Sequence, residues 1–91
     1  MATEEIRAKR FVLEDENGKT RAVLGVEKDV QGLALFDENG KGGAVLSMLK
    51  QGPGLVLRDE NGKPRAVLSL SKDGPALGLF DGNGNVTWHS P

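Results

Sequence analysis

The sequence predicts an all-β domain built from four tandem β-hairpins, about eight short antiparallel strands. Three observations predict it. Leu13, Leu35, Leu57 and Leu79 are spaced by 22 residues, and Asn17, Asn39, Asn61 and Asn83, the glycines that follow them, and Asp15, Asp37, Asp59 and Asp81 keep the same step. Each Asn-Gly pair stands between alternating apolar residues, a strong hairpin signal because tight turns need the positive φ that these residues tolerate. Glycine is abundant at 13, while there are three Phe, one Trp and no Tyr, a composition suited to tight turns around an aliphatic core. A fixed repeat is read before any single element. It assigns residues 11–91 to one four-hairpin domain and residues 1–10 to an N-terminal extension or cap.

The N-terminal segment admits two conformations. Thr3, Glu4 and Glu5 have the pattern of a cap on one helical turn, and the stretch from Ile6 to Phe11 equally extends the first strand. In the first hairpin a two-residue loop at Asn17-Gly18 sets Glu16 opposite Lys19, Asp15 opposite Thr20, Glu14 opposite Arg21, Leu13 opposite Ala22 and Phe11 opposite Leu24. A three-residue loop sets Leu13 opposite Arg21 and scrambles the pairs beyond it, since a one-residue slip flips a strand. The second and third hairpins repeat the pattern, with Glu38 opposite Lys41 and Glu60 opposite Lys63. Gly18, Gly40 and Gly62 are expected at positive φ.

This register defines two faces. One carries Phe11, Leu13, Ala22, Leu24 and Val26, then Leu33, Leu35, Ala44, Leu46 and Met48, then Leu55, Leu57, Ala66, Leu68 and Leu70, and last Leu77, Leu79 and Trp88. It is expected to be the core, with the strands closing into a small barrel or prism or stacking as a hairpin solenoid. Alanine at one place in three units implies a tight spot. Trp88 takes that place in the fourth unit and reads as an end cap. The opposite face carries Val12, Val23, Val45, Val56 and Val67, with Phe36 and Phe80 nearer the turns. A solvent face should read polar, so these seven residues are expected to form the interface of a closed homo-oligomer, a dimer or trimer. Units one and three carry charge where units two and four carry Phe36 and Phe80, giving a longer period of 44 residues.

Chemistry is sparse. Net charge is −1 with acids and bases interleaved, which argues against a nucleic-acid footprint. Cysteine is absent, removing disulfides, thiol chemistry and Cys-ligated zinc. No apolar run approaches the ~18 residues of a membrane span, and the first residues lack an apolar signal core, so a soluble chain of open compartment is expected. His89 has no orienting partner in sequence; Ser90 beside it would point to the opposite face of a strand. No phosphate loop or dinucleotide fingerprint occurs. No cofactor is expected. Asp15, Asp37, Asp59 and Asp81 are the candidate oxygen ligands for calcium. Against this, an aspartate before a turn accepts hydrogen bonds from turn N–H groups. Asp81, Asn83 and Asn85 match the start of a calcium loop, but Val86 stands where its glycine belongs.

The units, joined by Lys-Asp-Gly-Pro in the last connector, resemble the tandem hairpin repeats of uncharacterised bacterial proteins. Phe36, Asp37, Gly40 and Lys41 are also similar to the Tyr-Asp repeats of RHS-type shell proteins; Glu14 and Arg58 depart from the aromatic of that motif. The resemblance implies a β scaffold and assigns no functional residue. Function is therefore expected to be non-catalytic: a structural or self-assembling module. The alternative is a binding module for carbohydrate, peptide or calcium, using the aromatic residues or the turn aspartates.

Overall fold

A computed structural model describes residues 4–27 and 30–90. Its eight strands are β1 (Arg10–Glu14), β2 (Thr20–Glu27), β3 (Val30–Phe36), β4 (Gly42–Leu49), β5 (Gly52–Arg58), β6 (Pro64–Ser71), β7 (Gly74–Phe80) and β8 (Val86–His89). All belong to one antiparallel sheet in the order β1-β2-β3-β4-β5-β6-β7-β8. The all-β expectation holds. The chain does not enclose its own leucine face: the sheet stays open, with β1 and β8 at its edges. Among the described residues no side chain is buried. The physical reason is topological. Each strand pairs only with its sequence neighbours, so among the described residues no second layer lies over either face.

The strand-end pairing differs from the two-residue prediction. Gly18 N donates to Asp15 O at 3.0 Å and Asp15 N donates to Lys19 O at 2.9 Å. Asp15 Oδ1 accepts from Asn17 N at 2.9 Å and from Lys19 N at 3.0 Å. The loop is thus three residues, Glu16 to Gly18, with Gly18 at φ 79°, the turn-plus-left-handed-glycine geometry that is next commonest in hairpins. The predicted pairs Glu16–Lys19, Glu38–Lys41 and Glu60–Lys63 therefore do not form, nor does Glu14–Arg21, whereas the positive φ of Gly18, Gly40 and Gly62 is as expected. A bulge reconciles this loop with the hydrophobic register. Glu14 pairs Thr20, Leu13 pairs Ala22, and Arg21 is the extra residue. Gly43, Arg65 and Thr87 take the same place in the later hairpins. The carboxylate selects the longer loop by satisfying two backbone donors, and one unpaired residue restores the faces.

Beyond the bulge the predicted register is observed. A turn-side row runs Leu13, Ala22, Leu35, Ala44, Leu57, Ala66, Leu79 and Trp88 across the eight strands. A central row runs Phe11, Leu24, Leu33, Leu46, Leu55, Leu68 and Leu77. A connector-side row has Val26, Gln31, Met48 and Pro53, then Leu70 and Pro75. These three rows share one face, because side chains alternate along a strand. The other face carries Val12, Val23, Ala34, Val45, Val56, Val67, Gly78 and His89, beside a second row of Arg10, Gly25, Gly32, Ser47, Gly54, Ser69 and Ala76.

The helical-turn expectation involved Thr3, which lies outside the described residues. Residues 4–9 contain no helix and are exposed, with Ile6 84% accessible. Lys9 O accepts from Val26 N at 3.0 Å, so the ladder reaches one residue before β1.

Candidate functional site

The turn edge is the most regular polar feature. Asp37, Asp59 and Asp81 repeat the Asp15 arrangement, each Oδ1 accepting two turn N–H groups at 2.9–3.0 Å. These backbone donors hold all four carboxyls below the ordinary aspartate value, against a smaller opposing effect of desolvation. Arg21 and Arg65 add to this, their Nη1 atoms lying 3.5 Å from Asp15 Oδ2 and Asp59 Oδ2. The aspartates serve their own turns, one to each hairpin. Among the described residues no group of three or more His, Cys, Asp or Glu is gathered as for a metal.

Two features of this edge were not read from the sequence. Lys19, Lys41 and Lys63 each reach the next turn, their Nζ donating to Glu38 O (3.3 Å), Glu60 O (2.9 Å) and Gly82 O (3.0 Å). Asn85 holds the equivalent place in the last turn and instead donates to Asp81 Oδ2 at 3.3 Å. Arg21 Nε donates to Phe36 O at 3.2 Å and Arg65 Nε to Phe80 O at 2.7 Å. The arginines are bulge residues, and a bulge re-aims its side chain. They tie hairpin one to two and three to four, which gives the 44-residue alternation a physical basis. The spacing of Lys19, Lys41 and Lys63 was visible in the sequence; that an extended lysine spans neighbouring turns needed the strand order.

Of the seven residues expected at an interface, Val12 is 46% exposed at the β1 edge. Val23, Val45, Val56, Val67, Phe36 and Phe80 are half-buried within the sheet. The structure brings the valines into one row and puts the two phenylalanines nearer the turns. The leucine face is the more open of the two: Leu13 is 64%, Leu24 51%, Leu46 50% and Leu68 46% exposed. Shallow hollows on it are lined by Leu46, Leu55, Leu68, Leu70, Pro53 and Pro75, and by Leu24, Leu33 and Met48.

Trp88 stands on the edge strand beside Leu79, 50% exposed on the leucine face. His89 ends the valine row, exposed, with Nδ1 3.0 Å from Ser90 O. Ser90 is part of the sheet edge. Its N donates to Leu77 O at 2.9 Å, and its Oγ accepts from Leu77 N at 3.0 Å. That hydroxyl thus closes a strand end and is not aligned with the His89 ring. No family model and no curated protein matches this chain.

Proposed function

We propose that this protein is a non-catalytic, self-assembling structural module whose leucine face becomes a core when copies of the chain pack together. One observation carries the proposal. The single chain exposes 7426 Å², whereas a compact monomer of 9.7 kDa exposes about 5,100 Å². The surplus of about 2,300 Å² is of the size that permanent oligomers bury. The radius of gyration agrees: 15.8 Å against about 12 Å for a compact chain of this length.

The assembly face differs from the one the sequence suggested. A valine's branch lies against its strand neighbours, and the valine row is half-covered by the sheet itself. Most leucine side chains stand off the sheet and are exposed, with no second layer above them among the described residues. A second copy supplies the missing layer without requiring any foreign partner. Barrel or prism closure, which one chain does not reach, then becomes a property of the oligomer. Light scattering coupled to gel filtration tests this. A mass of two or three chains is expected; a stable, cooperatively folding species of one chain would overturn it.

A further inference from the structure

Resting on that self-assembly, we propose that the copies surround an axis running across the strands, each strand level with the same strand of the next copy. The turn end of one sheet then meets the connector end of its neighbour. Side-chain size supports this arrangement. In β2, β4 and β6 the turn-side residue is small, Ala22, Ala44 or Ala66, while the connector-side residue of the same strand is large, Val26, Met48 or Leu70. In β5 and β7 the order reverses, with Leu57 and Leu79 on the turn side and the smaller Pro53 and Pro75 on the connector side, while β3 carries Leu35 and the long, polar Gln31. Level-matched contact therefore sets large against small on five of these six strands, β3 being the exception with Leu35 against Gln31, and the central leucines meet one another.

One other face-to-face arrangement also alternates sizes. It inverts the second sheet so that β1 lies over β8 and turns lie over turns. Charge separates the two. The turns 15–19, 37–41, 59–63 and 81–85 each carry a net −1, and with the flanking Glu14, Arg21, Arg58 and Arg65 that end of the sheet carries −2. The connectors 27–30, 49–52 and 71–74 carry −1, +1 and 0, which is neutral overall, and Lys9 and Arg10 join that end. Turn against turn gathers like charge, while turn against connector does not, and like-charge juxtaposition is an effective means of rejecting a wrong docking. The inverted sheet also stacks Trp88 on Leu13, large against large, at its outermost level.

Crosslinking decides between them, and the absence of native cysteine makes it clean. In Ala66→Cys with Leu70→Cys the two Cα atoms of one chain lie about 13 Å apart along a strand, too far for a shorter bis-maleimide. Level-matched packing brings Cys at 66 to Cys at 70 of the next copy. The monomer band is then lost into covalent species that stop at the native oligomer mass, and neither single variant crosslinks. In Leu35→Cys with Ala66→Cys, only the inverted arrangement brings the thiols together. Crosslinking of that second pair with none in the first overturns the proposed axis and leaves self-assembly standing. No crosslinking of either pair in an oligomer of native mass and circular dichroism overturns it too, placing the contact on the other face. A monomeric wild type removes both the axis and its premise.

Discussion

The leucine face and the valine face are made by the same strands and the same ladder, yet they stand very differently to solvent. In the central row of the leucine face Phe11, Leu24, Leu33, Leu46 and Leu68 are between 37% and 51% exposed, and Leu55 and Leu77 are half-buried. Of the valines in the opposite row only the edge residue Val12 reaches that range, and Val23, Val45, Val56 and Val67 are half-buried. Side-chain shape makes the difference. Valine branches at Cβ and packs against its neighbours on the pleated surface, so a single layer nearly satisfies it. Leucine branches one atom further out and needs something opposite. An apolar face is not by itself an interface; what matters is how far its atoms stand beyond the sheet that carries them.

A matched pair of substitutions at adjacent residues separates the two faces. Leu55→Ser, in the central leucine row, is expected to shift the assembly to monomer or to cost about 3 kcal/mol per chain in denaturant unfolding. Val56→Ser, facing the other way, is expected to keep the oligomer and cost about 1 kcal/mol. Were Val56→Ser the variant that dissociates, the two faces would exchange roles.

The two ends of the strands offer a second contrast. Gly52, at φ 136°, has Leu70 O only 2.0 Å from where a Cβ would sit. Gly62, at φ 81°, has open space around it. Gly52→Ala is expected to cost about 3 kcal/mol through backbone displacement, and Gly62→Ala about 1 kcal/mol through conformation alone. Chemical denaturation of both variants measures the difference. Equal costs would mean that the connector end yields more easily than its close packing implies.

Acid should act on the turn end. Each turn aspartate is held below its ordinary value by backbone donors. A lowered folded-state value contributes stability above the unfolded value, about 3.9 for aspartate, and loses it as pH falls through the folded value. The Tm is therefore expected to fall below about pH 4, and Asp59→Ala should lessen that fall. A fall unaltered by Asp59→Ala would relieve this turn of its part in the acid response. The smallest expected effect is that of calcium. Since each Oδ1 already accepts two N–H groups, excess calcium and excess EDTA should give the same Tm. A shift that titrates with calcium would instead revive the aspartates as ligands.

The strand content and the outer register were legible in the residues alone. Alternation with a period of two and the 22-residue spacing of Leu13, Leu35, Leu57 and Leu79 leave one way to keep the apolar residues together. Positive φ at Gly18, Gly40 and Gly62 followed from turn chemistry. Charge pairing at the loop misled, because Glu16–Lys19 is worth less than the two backbone donors that Asp15 satisfies, and a bulge at Arg21 absorbs the resulting slip. The lysine links between turns and the arginine ties to Phe36 and Phe80 join residues 19 and 15 apart, and so depend on which strand lies next to which. The openness of the sheet came from the strand order in space. Local periodicity states that a face is apolar; it does not state whether the atoms covering that face come from the same chain, since that depends on where the strands run in space.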